Sequence, residues 1–277
     1  MLMEKLPAYP FCDLHLAQRL ERTEAASNAH FVEARARVFP RCQATWTEVA
    51  GAYAMFDGVE SPLTQTFGLG LFQPVTEAVL DTLEQFFEIR NAPVFHEISP
   101  LADPALWPLL TACGYAPVEF TSVLYRPIWP EMDLGKPRNA RLQVRQVGLA
   151  DQETWQATAA LGWSEYPEVT DFMQEVGQVT AAIESAVQFL AELEGEPIAA
   201  AGLHLQGTVA LLSGASTVPT GRNQGAQWAL LERRLQYAAA QGCTLAIMGA
   251  SPGSPSQRNA ERHGFRIAYT RCKWQKI

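Results

Sequence analysis

The same order of predicted elements occurs twice in this chain of 277 residues, and this duplication limits the folds that it can adopt. Each half starts with helical sequence. Three strand-like apolar runs follow, then a long helix, a strand, a short helix and a final strand. The pairs Gly114-Tyr115 and Gly264-Phe265 occupy equivalent places about 150 residues apart, and the long helices before them begin at nearly the same offset. The chain is therefore predicted to contain two copies of one α/β unit.

Apolar periodicity gives the predicted elements of both copies. In the C-terminal half, helices are expected at 150–161, 170–185, 225–241 and 254–263, and strands at 188–193, 198–205, 208–218, 244–248 and 264–274. In the N-terminal half, helices are expected at 14–38, 74–90 and 104–113, and strands at 43–49, 52–56, 63–71, 94–98 and 114–125. Hairpins followed by a crossover helix predict an α/β (mixed α+β) fold in two tandem domains, 1–130 and 140–277. Each domain is expected to have a mostly antiparallel sheet flanked by helices, and the segment 127–139 is expected to join them.

The charge pattern argues against a nucleic-acid-binding protein, because the net charge is −8 and such proteins need a basic surface. Gln146–Gly221 contains 10 acidic residues and no Lys or Arg, whereas Arg222–Ile277 contains 9 Lys and Arg against Glu232 and Glu261. Two interpretations stay open. The charges belong to solvated faces, or a basic side binds an anionic cofactor and an acidic side binds a cationic substrate.

The composition predicts a cytoplasmic protein with no membrane span and no metal. The chain starts without a basic segment followed by an apolar one, and no apolar run approaches the roughly 20 residues of a transmembrane helix. Five scattered cysteines form no CxxC pair, and the histidines lack metal-ligand spacing. The aromatic residues Trp129, Trp163 and Trp274 leave room for a homodimer.

The segment 216–227 has the layout of an anion site, because a strand runs into a Gly-containing loop and then into a helix. Unpaired N–H groups point outward at a helix N-terminus, and the helix dipole adds to their attraction for a phosphate. Gly225 lets a phosphate approach the backbone closely, and Arg222 can add a charged contact.

This loop resembles that of the GCN5-related N-acetyltransferase (GNAT) family, whose Gln/Arg-x-x-Gly-x-Gly/Ala pattern corresponds here to Arg222, Gly225 and Gln227. The short helix that ends in Gly264-Phe265 is a second similarity. The resemblance implies acetyl-CoA as co-substrate and no metal. It further implies direct transfer of the acetyl group to a primary amine on a small molecule or peptide, and the charge pattern favours a cationic amine. It also implies the residues that would contact the coenzyme: Thr217 and Val218 through their backbone, Arg222, Asn223, Gln224, Gly225, Ala226 and Gln227 at the pyrophosphate, and Asn259 at the pantetheine arm.

The sequence departs from the family pattern at two positions. Gln227 stands where Gly or Ala is usual, so the helix start must accommodate a longer side chain. Ala260 stands where a Tyr often protonates the leaving thiolate, and Tyr269, Ser256 or a water molecule are the alternatives for this acid.

The N-terminal copy departs further. Its segment 68–74 lacks the Arg/Gln-x-x-Gly pattern, and Pro74 removes an N–H. This copy is expected not to bind the coenzyme.

Glu165, between Trp163 and Tyr166, is the candidate for binding or deprotonating the acceptor amine. A catalytically inactive protein that binds the coenzyme or a partner is the main alternative, and the missing Tyr motivates it. A hydrolase is disfavoured. The motif 249–253 fits Gly-x-Ser-x-Gly, but Pro252 has no N–H for an oxyanion hole.

Overall fold

The computed structural model describes residues 8–132, 134 and 139–277. In chain order the elements are α1 (Leu14–Val38), β1 (Thr45–Val49), β2 (Ala52–Phe56), β3 (Gln65–Phe67), α2 (Glu77–Glu88), β4 (Phe95–Ile98), α3 (Leu106–Ala112), β5 (Tyr115–Pro127), β6 (Leu142–Gln146), α4 (Gln152–Leu161), α5 (Pro167–Ala181), β7 (Ala186–Leu193), β8 (Glu196–Gln206), β9 (Val209–Thr217), α6 (Ala226–Ala240), β10 (Leu245–Ala250), α7 (Pro255–Arg262) and β11 (Arg266–Lys276).

The chain divides into two compact units. The first unit contains Tyr9–Tyr125 and Gly249–Ile277, and the second unit is built on Arg126–Met248. The break after Tyr125 lies close to the predicted end of the first domain at 130. The predicted second domain, 140–277, differs from the second unit, because residues 249–277 group with the first unit. Part of the predicted linker, 127–139, lies outside the described residues.

The first unit has the strand order β1-β2-β3-β4-β11-β5, and its pairs are antiparallel except the parallel pair β3–β4. Helix α1 buries Leu16, Leu20 and Val32, and Asp13 caps its start by accepting a hydrogen bond from the N–H of Leu16 (2.9 Å). Strand β3 is shorter than the predicted 63–71, since Gly68 and Gly70 adopt positive φ angles directly after it.

The second unit has the strand order β10-β9-β8-β7-β6, antiparallel except for the parallel pair β9–β10. Small residues dominate the middle of β8, and helices α4 and α6 both pack on this sheet. Trp155 and Ala159 of α4 join Leu190 and Ala200 in one core cluster. Strand β6 was not predicted, because its sequence, Leu142–Gln146, alternates polar and apolar residues over only five positions. Among the described helices, none is both long and apolar enough to cross a bilayer.

A buried ionic cluster joins β11 to other elements of the first unit. Arg271 of β11 is 4% exposed at its side chain and forms ion pairs with Glu21 (3.2 Å), Glu24 (2.6 Å) and Glu97 (3.0 Å). The Tyr269 hydroxyl donates a hydrogen bond to Glu21 (2.8 Å). These contacts connect β11 to α1 and β4, in addition to the backbone pairing of β11 with β4 and β5.

The pKa of Glu21 predicts a pH-dependent stability. Burial raises this pKa from 4.5 to about 7, although Arg271 opposes the shift. The folded chain therefore binds a proton that the unfolded chain has released between these two values, and the Glu21 contribution to stability falls as the pH rises through this window. The free energy of unfolding of Glu21→Gln, relative to the wild type, should rise over the same window.

Urea unfolding from about pH 5 to pH 8 measures this difference. Glu60→Gln is the matched control, because Glu60 is exposed and should give a flat difference curve. A flat curve for Glu21→Gln as well would contradict the prediction.

Candidate active site

A β-bulge in the β8–β9 hairpin is the starting point of the site. Ala200 pairs with Ser216 and Gly202 pairs with Ser213, so Gly214 and Ala215 together oppose a single residue of β8. Gly214 has a φ angle of 57°, which glycine adopts without strain. The extra residue changes which edge of the strand each later backbone group faces.

One edge of β9 is open over its second half. The parallel pairing with β10 covers Val209–Leu211, and β9 continues beyond this pairing to Thr217. The N–H of Val218 donates to the carbonyl of Ile198 on β8 (2.9 Å). Because successive residues of a strand direct their N–H and C=O groups to opposite edges, Thr217 faces the open edge. An extended ligand can therefore bond to the backbone of Thr217.

Val218 differs from the expectation that its backbone would contact the pantetheine. Its N–H bonds to Ile198, and its carbonyl accepts a hydrogen bond from the N–H of Gly221 (2.9 Å). Of the two residues expected to hold this arm, Thr217 has the available backbone.

The loop after β9 presents backbone N–H groups at the start of α6. Gly225 precedes the helix with a φ angle of 87°, and no side chain of the described residues caps the helix there. Asn223 is also left-handed, with a φ angle of 62°. The first N–H groups of an α-helix have no partner within the helix, so this turn offers several donors and the positive end of the helix dipole. These features suit a phosphate.

Three contacts fix the shape of this loop. Gly221 lies so close to β8 that a Cβ atom there would be 2.6 Å from the Cβ of Ile198. The Asn139 amide donates to the carbonyl of Gln224 (3.1 Å). The Gln227 amide donates to the hydroxyl of Thr217 (2.8 Å), so the unusual Gln connects the helix start to the end of β9.

The candidate acceptor residue lies beside this loop. Glu165 forms an ion pair with Arg222, and both side chains are about half exposed. The rings of Trp163 and Tyr166 are 6.4 Å apart between centroids and are also exposed. A carboxylate and two aromatic rings next to the anion loop can bind a cationic amine there.

The end of α4 is pinned to β9 and so positions the acceptor segment. The Ser216 hydroxyl donates to the carbonyl of Ala159 (2.9 Å). A Cβ atom on Gly162 would be 2.5 Å from the Cβ of Ser216 and 3.0 Å from the N atom of Thr217. Gly162 therefore permits a close approach that a larger residue would prevent.

A cavity of about 430 Å³ opens between α4 and α5 next to this segment. Ser164, which precedes Glu165, contributes to its wall, as do Glu153, Gln156, Ala157, Ala160, Leu161, Gln174 and Gln178. Its polar residues are one acid, three amides and one hydroxyl, and this lining offers many hydrogen-bond acceptors.

Comparison with known proteins identifies the domain type. Residues 153–265 match the model of the acetyltransferase (GNAT) family. The chain contains a GNAT domain. A search of curated proteins finds no match.

Solved GNAT structures share the fold of the chain. A GCN5-related N-acetyltransferase from Kribbella flavida has 18% identity and a TM-score of 0.59, covering 90% of this chain and 95% of that chain. Another from Sphaerobacter thermophilus has 15% identity and a TM-score of 0.56, covering 76% of this chain and 71% of that chain. A tandem GNAT protein from the clavulanic acid biosynthesis pathway has 10% identity and a TM-score of 0.55, covering 81% and 77%.

Two predicted site residues, Asn259 and Tyr269, lie in the first unit, and Asn259 is within the matched residues 153–265 whereas Tyr269 follows them. Tyr269 is buried, its hydroxyl donates to Glu21, and burial raises its pKa well above the ordinary value. Asn259 lies on α7, where its carbonyl is 2.9 Å from Nδ1 of His263. Tyr269 as the general acid and Asn259 as a pantetheine contact remain predictions.

The loop of the N-terminal copy is occupied by protein groups. Thr76 caps α2 by accepting a hydrogen bond from the N–H of Val79 (3.4 Å). Phe72 packs against Gly51 and Gly68, and the guanidinium of Arg22 lies 4.2 Å from its ring centroid. The start of this helix thus has a side-chain cap, whereas the start of α6 has Gly225.

Sequence reasoning missed four residues of the site: Asn139, Gly162, Gly214 and Ser216. A signal existed for Gly214, because a Gly inside an apolar strand pattern often marks a bulge. The contacts of Asn139, Gly162 and Ser216 join distant parts of the chain, and no local pattern predicts them.

Gly162→Ala should weaken both folding and ligand binding at β9. Its Cβ atom would collide with Ser216, so α4 must move away from the strand at a cost of about 1–3 kcal/mol. Gly177→Ala is the matched control. A Cβ there makes an ordinary 3.5 Å contact with Gln156, and Ala in a helix interior should stabilise by about 0.5–1 kcal/mol. Urea unfolding and coenzyme titration of both variants measure the effects, and equal behaviour of the two would contradict the packing argument.

Proposed function

We propose that this chain transfers the acetyl group of acetyl-CoA to a primary amine that is cationic at neutral pH. The observation that supports this most strongly is the uncapped start of α6 beside the open edge of β9. An uncapped helix start can bind a pyrophosphate, and an open strand edge can bind an extended chain with amide groups. The GNAT match over residues 153–265 agrees with such a ligand.

In this proposal the coenzyme supplies a thioester, an acetyl group that is activated toward amines. Arg222 and the N–H groups from Asn223 to Gln227 bind its pyrophosphate. The backbone of Thr217 aligns its pantetheine arm along β9. These contacts fix the reacting carbonyl in one orientation, and orientation is a large share of what such an enzyme provides.

In the proposal, Glu165 pairs with Arg222 before the coenzyme binds and with a cationic group of the acceptor afterwards. It pairs with Arg222 in this structure, and a bound pyrophosphate would compete for the same guanidinium. Glu165 then becomes available to bind a cationic group of the acceptor. The proton of the reacting ammonium reaches it through water, because the pantetheine arm separates the thioester from the pyrophosphate. The neutral nitrogen attacks the thioester carbonyl and the C–S bond breaks. The nitrogen loses its second proton as the amide forms, and this proton passes through water to the leaving thiolate.

The remainder of the acceptor has room in the cavity between α4 and α5. Its acid and amide lining, together with the absence of Lys and Arg from Gln146–Gly221, suits a ligand with several hydrogen-bond donors and a positive charge. The five cysteines are unbridged, which supports a reducing compartment such as the cytoplasm as the place of this reaction.

A second candidate function is coenzyme binding without transfer. Ala260 supports this second candidate, because the buried position lacks the Tyr that GNAT enzymes often use to protonate the leaving thiolate. The assay below separates the two candidates.

Thiol release from acetyl-CoA, measured with a panel of cationic and neutral amines, tests the proposal. Release with a cationic amine should be lost in the double variant Arg222→Ala/Gly225→Trp, because this variant removes the charge and fills the approach to the helix start. Arg233→Ala is the matched control, since it removes the same charge from α6 beyond the first turn. Coenzyme binding without release from any amine would favour the second candidate, and the absence of binding would contradict both.

The substitution Glu165→Gln should affect the binding of the two substrates differently. The KM for the amine should rise about tenfold, because a charged hydrogen bond of about 1.5 kcal/mol is lost. The affinity for acetyl-CoA should stay equal or increase, since Arg222 no longer has a competing carboxylate. Steady-state kinetics and coenzyme titration check both values against Glu184→Gln, which makes the same charge change at an exposed position. A weaker affinity for the coenzyme would contradict the proposed competition.

A further inference from the structure

A buried arginine on α6 contacts the bulge of the second unit from within the core. Arg234 is 4% exposed. Its Nη1 atom donates to the carbonyl of Gly202 (3.1 Å) and to that of Ser213 (3.4 Å), and its Nε atom donates to the carbonyl of Leu230 on its own helix (3.2 Å). Gly202 and Ser213 are the paired residues at which the register of β8 and β9 shifts.

Burying the charge of an arginine at this position lowers the stability of the fold, so the charge is expected to have a structural or functional role there. No carboxylate of the described residues forms an ion pair with Arg234, so carbonyl oxygens alone compensate its burial. A buried cation of this kind destabilises the fold compared with an apolar side chain of similar volume. Burial lowers the pKa of Arg234 to about 9, and the guanidinium therefore keeps its charge at neutral pH.

The bulge accounts for this cost. An inserted residue interrupts the ladder next to the pair Gly202–Ser213, and the guanidinium of Arg234 bonds to the carbonyls on both strands at this point. The planar guanidinium has donors in a fixed fork and can satisfy two such carbonyls from different strands at the same time. A methionine or leucine would lose both hydrogen bonds to these carbonyls.

We propose that Arg234 is a positioning residue for acetyl transfer: it fixes the bulge at Gly202 and Ser213 and thereby aims the open edge of β9 at the pantetheine arm. This role rests on the proposed function. Arg234 acts through the strand and does not touch either substrate. Its loss should affect the arm that lies along β9 and not the phosphates that the loop after β9 binds.

Two ligands separate these effects. Coenzyme A contains both the pyrophosphate and the pantetheine arm, whereas 3′-phosphoadenosine 5′-diphosphate contains the pyrophosphate without the arm. For Arg234→Met, calorimetry should show an affinity for coenzyme A reduced by about tenfold or more, since small misplacements of a positioned ligand are costly. The affinity for 3′-phosphoadenosine 5′-diphosphate should stay within about twofold of the wild type, a difference too small to indicate a lost contact. The kcat of thiol release should fall as well. The values for Arg234→Lys should lie between those of the wild type and of Arg234→Met, because lysine keeps the charge but lacks the planar set of donors of a guanidinium.

Leu231→Ala is the control for general destabilisation, because Leu231 is buried on the same helix and has no hydrogen bond to the bulge. It should lower the unfolding temperature without changing the ratio of the two affinities. An unchanged ratio in Arg234→Met, or an equal loss of both affinities, would overturn the role of Arg234. Failure of the wild type to bind coenzyme A would instead count against the proposed function.

Discussion

The bulge at Gly214 shifts the register of β9 by one residue, and this shift decides which edge each later backbone group faces. Val218 then bonds to Ile198, and Thr217 faces the open edge. The end of α4 depends on the same segment through Ser216, and Gly162 allows the close approach. Glu165 follows three residues later and lies beside Arg222. A local insertion in one strand thus positions both halves of the proposed site.

The starts of helices α6 and α2, which the sequence predicts to be equivalent in two copies of one unit, differ in their capping. In the C-terminal copy, Gly225 has no side chain to cap α6, so its first N–H groups are available to a ligand. In the N-terminal copy, Thr76 caps α2 and Phe72 fills the space next to Gly51 and Gly68. One helix start has a side-chain cap, and the other has none among the described residues.

Local patterns in the sequence predicted most elements, since helix and strand periodicities and Gly- or Pro-containing turns act over a few residues. Helix α1 and strand β2 have the predicted bounds. The grouping of β11 with the first unit was not predictable, because its backbone pairing with β4 and β5 and the ion pairs of Arg271 join residues that are far apart in the chain. The contact between Arg222 and Glu165 is of the same kind. The loop motif itself was local, and it led to the family.

Amide hydrogen exchange with and without acetyl-CoA tests the central claim most directly, because it reports on backbone N–H groups along the whole chain. The account predicts slower exchange from Thr217 to Gln227 when acetyl-CoA is bound, and no change at the N-terminal loop from Gly68 to Pro74. Protection of the N-terminal loop, or unchanged exchange at Arg222–Gln227 with bound coenzyme, would contradict it.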